Sequence, residues 1–353
     1  MEDIVINETS IRTSRNFQIN DIKVKGVKFP KIKEFNNVSI KCDSQKDEIS
    51  KNVSKEKLTY GIGDRFQEEV FSEANFEAKI NVNTKTNKSI ELDFVFDKEN
   101  DALVDNIDIE SDEGCRETIN IIYKSSDDGI YYHNGLIRLY AKKNTNIKVN
   151  IINLLNEFSN NFVSIENKID EGAIVEYNVV DFGGKNSISN YYSNVVGDEA
   201  ISNINTIFLG VKDQLIDANY VTDLRGKKSE TNMIVQGALN DDAKNHFKGI
   251  IDFKRGCKKA KGNEQESCAL LSDNSKSIAM PVLLCSEEDV EGSHGNSAGK
   301  VGNKELFYIM SRGFDKKEAL KLLVKAKFNS IIEKFPSDEY KNKVLYEIDQ
   351  RLN

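Results

Sequence analysis

The sequence of 353 residues contains no tryptophan, three prolines, three histidines and five cysteines. The cysteines are odd in number, widely spread and without a C-x-x-C pair, which argues against both a disulfide framework and a standard zinc module. No stretch has the ~20 consecutive apolar residues of a membrane helix. The first residues, MEDIVINETS, have neither a basic leader nor an apolar run of signal-peptide length. We therefore expect a cytoplasmic protein with reduced thiols and no membrane contact.

Positive charge is outweighed by negative charge, with 49 Lys and Arg against 57 Asp and Glu and a net charge of −8. A chain of that sign repels a phosphate backbone, and its one basic cluster is short, from Lys254 to Lys261. The sequence also has no GxxxxGK[ST] phosphate loop. We expect no nucleic-acid partner, and any ATP hydrolysis is expected in another chain.

From about residue 75 to residue 301, short β-rich segments recur at intervals of roughly 9 to 13 residues, separated by Asn, Asp, Gly and Ser. Such spacing is compatible with a sandwich, a barrel or a solenoid. Hairpin dipeptides are scarce, with His133-Asn134-Gly135 the clearest candidate, and asparagine is abundant at the expected corners, where amides can stack between turns. These features favour a mainly β protein with a parallel β-helix.

The carboxyl-terminal segment changes to helical periodicity. The pattern predicts one helix from Lys304 to Arg312 that stops at Gly313, and a second that begins at Asp315. A third helix is expected after Ser337. Because a β-helix has an unpaired strand edge at its end, we expect these helices to cover that edge.

The second predicted helix carries more apolar surface than one stripe needs. Leu322 and Ala326 lie beside the main stripe rather than on it. This surplus is typical either of additional core or of a face that docks a partner, and the sequence leaves both open.

His294 is the most promising residue for chemistry. It lies in a glycine-rich stretch, expected to be a turn, after several carboxylates that would help it hold a proton or a cation. A solvated histidine without a role is the alternative. Cys257, Cys268 and Cys285 precede it and could join it as metal ligands. Cys268 is followed by Ala-Leu-Leu and Cys285 is preceded by Val-Leu-Leu, so both are expected to be buried. His133 and His246 are expected at strand ends without a function.

Residues 295–299, GNSAG, formally match the G-x-S-x-G pattern of serine hydrolases. That pattern needs a buried strand before it and a helix directly after it, and here a polar acidic stretch precedes and KVGN follows. The context argues against a hydrolase.

The stretch from Gly262 to Leu323 resembles the carboxyl-terminal signature of the SufB/SufD family of iron-sulfur cluster assembly proteins. Further matches lie upstream, so the resemblance covers about residues 205 to 330, and IRTSRNFQIN at 11–20 matches more faintly. The matching residues are Gln214, Asp217, Ser229, Gly237, 247–250, Gln265, 270–273, Pro281, 289–290, 293–295, Gly299, 306–308 and 311–313.

This resemblance implies a right-handed parallel β-helix core at residues 75–301, after a shortened amino-terminal region at 1–74. Residues 302–353 would form a helical subdomain that docks a SufC-type ABC ATPase. The core would pair with a SufB-like paralogue, or with a second copy as a homodimer. The implied function is that of a non-catalytic scaffold on which an iron-sulfur cluster is held transiently.

The triplet Ser293-His294-Gly295 is of the SufD kind, which implies that His294 lies at the cluster-assembly interface as a transient metal ligand. The residues implied in partner docking are Leu306, Phe307, Tyr308, Arg312, Gly313, Leu322 and Ala326. Three positions depart from the family pattern: Ser275 replaces the SufB cysteine, Asp223 a usual histidine, and Gly292 a cysteine of some SufD proteins.

Two other functions stay open at this point. Many parallel β-helices bind or cleave polysaccharides, but their clefts are typically lined by aromatic residues, and this chain has no tryptophan and no row of tyrosines at the strand spacing. A purely structural adaptor is the other alternative.

Overall fold

The computed structural model describes residues 2–12, 19–43, 48–83, 85 and 88–353. Of the faintly matching segment at 11–20, positions 13–18 lie outside these ranges. The first elements pack as an arm on the core, and β1 and β2 pair antiparallel as a separate small sheet. They are β1 (Glu2–Ile6), β2 (Ile22–Val27), β3 (Val38–Cys42), β4 (Glu48–Ser50) and α1 (Asp64–Glu73).

Sixteen strands form the core. They are β5 (Phe76–Val82), β6 (Lys88–Phe96), β7 (Ala102–Ser111), β8 (Arg116–Ser125), β9 (Tyr132–Ala141), β10 (Asn146–Leu154), β11 (Asn160–Ile169), β12 (Ile174–Asp181), β13 (Asn186–Val195), β14 (Ile201–Gly210), β15 (Leu215–Leu224), β16 (Glu230–Leu239), β17 (Lys244–Phe253), β18 (Lys261–Leu270), β19 (Lys276–Cys285) and β20 (Glu291–Lys300).

From β5 to β18, each strand pairs in parallel with the strand two further along the chain, and β3 and β4 add antiparallel to β6 and β5. The even-numbered strands form one sheet, here the even sheet, and the odd-numbered strands form the facing odd sheet. Two strands make one turn, so the sixteen strands make eight turns. This confirms the parallel β-helix. The strands begin 12 to 17 residues apart, further than the sequence interval of 9 to 13, because most strands have about ten residues and a corner follows each.

In one stacked corner, glycine or asparagine occupies the left-handed position in three successive turns, and Glu199, Lys228 and Lys259 occupy it in the next three. Gly114, Asn144 and Gly172 have φ of 73°, 57° and 66°, in the left-handed region that glycine and asparagine adopt most readily. The backbone amide of Gly114 donates to Lys143 O at 2.9 Å, and that of Asn144 donates to Glu171 O at 3.0 Å. Each corner is therefore tied to the next by its own backbone.

Asparagine amides do stack between turns, but within strands and not at corners. Asn150 donates to Asn120 at 2.8 Å, Asn178 donates to Asn150 at 2.9 Å, and Asn205 donates to Asn178 at 3.0 Å. The four residues are in register on the even sheet. The ladder satisfies buried amides that would otherwise destabilise the stack.

His133-Asn134-Gly135 is not a hairpin but lies at the beginning of β9, so His133 is near a strand end as expected. His133 is fully buried between Asp105 Oδ1 and Asn161 Oδ1, each 2.6 Å from a ring nitrogen. A Cβ on Gly135 would lie 2.9 Å from both Asp105 Oδ1 and His133 Nε2. Glycine at this position therefore makes room for the pair.

Three helices follow the stack: α2 (Asn303–Met310), α3 (Lys316–Ile332) and α4 (Asp338–Arg351). Gly313 has φ 100°, Asp315 and Glu318 form a reciprocal capping box, and Ser337 caps α4, which confirms the predicted boundaries. None of the helices in the described ranges is long and apolar enough to cross a membrane.

The helices do not cover the end of the stack, contrary to expectation. Val324 and Phe328 of α3 and Val344 of α4 pack on the outer face of the even sheet, against Ile152 and Leu209 among others. The amino-terminal arm covers the outer face of the odd sheet in the same way. Because those apolar stripes are used on the sheet faces, β19 and β20 stay open at the end of the stack.

Candidate functional site

Two columns of inward-facing side chains change from apolar to polar at the open end of the even sheet. Side chains at in-register positions of parallel strands stack on the same face. The first column is Ile90, Ile119, Val149, Tyr177, Ile204, Met233, Glu264 and His294. The second column is Leu92, Ile121, Ile151, Val179, Thr206, Val235, Glu266 and Asn296.

Glu264 and Glu266 are interior carboxyls that the sequence did not point to. Burial, together with the charge of the neighbouring Glu266, raises the pKa of Glu264 to about 8. Burial likewise raises the pKa of Glu266 to about 7, opposed by a hydrogen bond from Ser277 and the charge of Lys327. The Oε2 atoms of both glutamates have no hydrogen-bond partner in the described part of the chain. The interior below the open end can therefore take up or release protons near neutral pH.

His294 lies directly above Glu264 in this column, on β20 and exposed. Ser293, His294 and Gly295 belong to a strand, so the expected turn was wrong, and GNSAG is not a strand-turn-helix elbow either. Ser293 Oγ donates to Asn263 Oδ1 at 2.8 Å, and Asn296, with its amide nitrogen towards the carboxylate, donates to Glu264 Oε1 at 2.9 Å. These contacts fix the backbone on both sides of His294.

The open end presents two strand edges. β20 pairs only with β18, and β19 pairs only with β17, among the described residues. Every residue of β20 is exposed, and a Cβ on Gly295 or Gly299 would meet no atom within 4 Å. Unpaired backbone groups along two adjacent edges are a template for another chain.

The three candidate cysteines do not form a metal centre with His294. Within the described ranges no three His, Cys, Asp or Glu side chains lie close enough together to hold a metal ion. Cys268 is buried as expected, and burial raises its pKa to about 12. Cys285 is exposed, contrary to expectation, because it ends the edge strand β19.

The departures from the family pattern have local explanations. Asp223 is buried in an ion-pair group, 2.7 Å from Arg225 and 3.5 Å from Lys254. Ser275 is buried in the corner before β19, where its Oγ donates to Ser272 O at 3.0 Å. At Gly292 an added Cβ would lie 3.1 Å from the ring of Phe253, so a larger side chain there would displace that ring.

The residues implied in partner docking form an exposed surface on α2 and α3. Phe307 and Tyr308 are 74% and 60% exposed, and Arg312 lies over the Tyr308 ring at 5.2 Å. Leu322 and Ala326 are also exposed, whereas Leu306 is half-buried. Gly313 follows α2 in the left-handed conformation. The surplus apolar surface of α3 is therefore not core.

Two residues of the family signature, Asp217 and Lys248, have a structural role. Lys248 Nζ, fully buried, donates to Asp217 Oδ1 at 2.7 Å and to Asn7 O at 3.0 Å. His246 Nδ1 is 3.7 Å from Asp217 Oδ2, and burial lowers the pKa of this histidine. Lys248 and Asp217 anchor the arm to the odd sheet through Asn7. Lys248 and Asn7 are 241 positions apart in the sequence, so periodicity cannot indicate their contact.

Comparison with known proteins finds similarity to one protein family. The family model "SUF system FeS cluster assembly, SufBD core domain" matches residues 94–327. The chain is 29% identical over 168 residues to the SufD protein of Bacillus subtilis, covering 47% of this chain and 38% of that protein. It is 27% identical over 227 residues to a SufBD family protein of Pyrococcus horikoshii, covering 64% and 48%.

The SufD protein of Escherichia coli is 21% identical over 240 residues, covering 68% of this chain and 57% of that protein. The chain thus spans about half the length of the curated relatives it matches.

Proposed function

Because the chain belongs to the SufB/SufD family of the SUF iron-sulfur cluster assembly system, as a SufD-like member, we propose that it is a non-catalytic scaffold subunit of an assembly complex. The observation that carries the proposal is the open end, where two unpaired strand edges flank an interior column that ends in His294. A cytoplasmic location is part of the proposal.

The end strands are the proposed contact with a SufB-like paralogue, or with a second copy of this chain. β19 and β20 are ten residues long and each has one unpaired edge, whose backbone groups a partner strand would satisfy. Pairing would also shield the half-buried apolar residues of β19, such as Val282 and Leu284. The lateral position of the helices supports this proposal because it leaves both edges accessible.

The exposed surface of α2 and α3 is the proposed docking site for a SufC-type ABC ATPase. Large aromatic side chains that protrude next to an arginine are typical centres of protein interfaces. Phe307, Tyr308 and Arg312 form such a group, and Leu322 adds an apolar side chain on the adjacent helix.

The proposed cargo is a transient iron-sulfur cluster at the paired ends. His294 would supply one nitrogen ligand or handle a proton, and the remaining ligands would come from the partner. The raised pKa values of Glu264 and Glu266 support a site where protons are exchanged as charged cargo arrives.

The test is anaerobic co-purification of the full chain with a SufB-like subunit and an ABC ATPase, with composition measured by native mass spectrometry. Phe307→Glu with Leu322→Glu should abolish ATPase binding and keep the SufB-like subunit. Tyr346→Glu is the matched control, because this exposed aromatic lies on α4.

His294→Ala should keep the complex intact and slow cluster transfer to an apo-acceptor protein. Failure to form any stable complex, together with unchanged cluster transfer by the His294 variant, would contradict the proposal.

A further inference from the structure

A groove of about 860 Å³ runs along one corner of the stack. One wall is built by the first residues of five successive strands of the odd sheet, all in register: Tyr132, Asn160, Asn186, Leu215 and Lys244. Neighbouring strands are about 4.8 Å apart, so this wall is about 19 Å long. The groove is therefore elongated along the stack axis.

The other wall is β2. The groove is lined by Ile22 from the buried face of β2 and by Lys23 and Lys25 from its exposed face. Because residues of both faces line the groove, β2 turns one of its edges towards it. β1 is the only strand that pairs with β2 among the described residues. The edge of β2 that faces the groove is therefore free to pair.

β2 also runs in the direction of the groove. Its start pairs with the end of β1, where the next residue, Asn7, bonds Asp217 of β15. Just after its end, Phe29 packs against Tyr132 of β9 at 5.9 Å. β2 therefore crosses the turns from β15 to β9, alongside the groove.

The groove is positively charged although the chain is acidic. Five lysines line it, against Asp101 and Asp213; they are Lys23, Lys25, Lys28, Lys185 and Lys244. Lys23 pairs with Asp3 and Lys185 with Asp213, each at 3.2 Å. For the other three lysines no carboxylate of the described residues lies within 4 Å. A ligand with several negative charges would compensate them.

Apolar side chains lie on the same groove. Ile130 is 75% exposed and Phe158 43% exposed, and both line it. Exposed residues of this size beside unpaired lysines favour a ligand with both carboxylates and apolar side chains.

We propose that this groove binds an acidic segment of a partner protein in extended conformation, which adds to the free edge of β2 as a third strand. A length of about 19 Å accommodates about six extended residues at 3.3 Å each. Backbone hydrogen bonds to β2 would provide affinity, and alternating side chains would reach the lysines and the apolar rim. A small anion would use neither the length nor the free edge.

The test uses a fluorescent six-residue peptide of alternating Glu and Val, with binding to the full chain followed by fluorescence anisotropy. Two control peptides have Gln in place of Glu, or the same charges with alternate backbone nitrogens methylated. The protein variant is Lys25→Gln/Lys28→Gln/Lys244→Gln, and Lys227→Gln/Lys258→Gln/Lys259→Gln is its control at other exposed lysines.

We expect the acidic peptide to bind, and both control peptides and the groove variant to weaken binding about tenfold or more. The control variant should bind as the original chain does. Equal binding of the methylated peptide, full displacement by pyrophosphate alone, or no binding of the acidic peptide would overturn the proposal. The peptide controls need no protein variant, so they decide even if a variant misfolds.

Discussion

Replacing Glu264 and Glu266 by glutamine should remove most of the pH dependence of this protein's stability between pH 5 and pH 9. Both carboxyls are buried on β18, next to the end strand β20, and their pKa values are raised to about 8 and about 7. The ordinary pKa of glutamate, 4.5, applies to the unfolded chain. Between 4.5 and those raised values the folded state binds more protons than the unfolded state, so stability falls as pH rises.

The magnitude follows from the two shifts. Each such carboxyl loses about 1.4 kcal/mol of stability per pH unit within its window. This gives upper limits of about 5 kcal/mol for Glu264 and about 3 kcal/mol for Glu266 when each is fully ionised. Because the open end admits water to the ionised groups, we expect a combined loss of about 2 to 4 kcal/mol between pH 5 and pH 9.

The measurement is urea unfolding from pH 5 to pH 9, followed by far-ultraviolet circular dichroism because the chain has no tryptophan. The original chain should lose stability steadily, and Glu264→Gln/Glu266→Gln should be flatter and more stable at pH 9. Glu287→Gln is the control, because this half-buried carboxyl lies at the same end and hydrogen bonds from backbone amides lower its pKa. A flat profile for the original chain, or the same slope in the glutamine variant, would refute the assignment of buried charge.

Three further substitutions test the packing. Lys248→Met should lower the free energy of unfolding by about 3 to 5 kcal/mol because it leaves the Asp217 carboxylate buried without its cationic partner. Adding Asp217→Leu should restore most of that free energy, which a double-mutant cycle in urea would measure. Phe328→Ala should lower it by about 3 to 5 kcal/mol and release α3 from the even sheet, seen as faster amide exchange in that helix. Gly237→Ala should destabilise by about 1 to 3 kcal/mol because its Cβ would clash with a buried aromatic ring, whereas Gly295→Ala should leave the melting temperature unchanged.

Local signals predicted much of the fold. The recurrence of short β-rich segments predicts the stack because each turn repeats the same strand and corner. Helix boundaries were predictable too, since the Asp315 capping box and the Gly313 stop depend only on residues three or four positions apart. The SufD-like triplet likewise located His294, because the signature lies in one continuous stretch.

The placement of the helices could not be predicted because it depends on which of two apolar surfaces they cover. The outer face of the even sheet carries residues such as Ile152 and Leu209, whose side chains need cover as much as the end of the stack does.

The interior carboxyls were missed for a different reason. In the segment NEQES no apolar alternation marks a strand, so the inward direction of Glu264 and Glu266 follows only from their register with Met233 and Val235.

The same register explains how a force on the helices could reach His294. β20 leads into α2 through Val301 and Gly302 alone, a link too short to absorb a large displacement of that helix. α3 is held on the sheet face by Val324 and Phe328 and cannot follow easily. Among the described strands of the even sheet, β8 to β18 are each held by a parallel ladder on both sides, whereas β20 has one. A partner that moves α2 would therefore act first on the strand that carries His294, which would couple the proposed ATPase surface to the proposed cluster site.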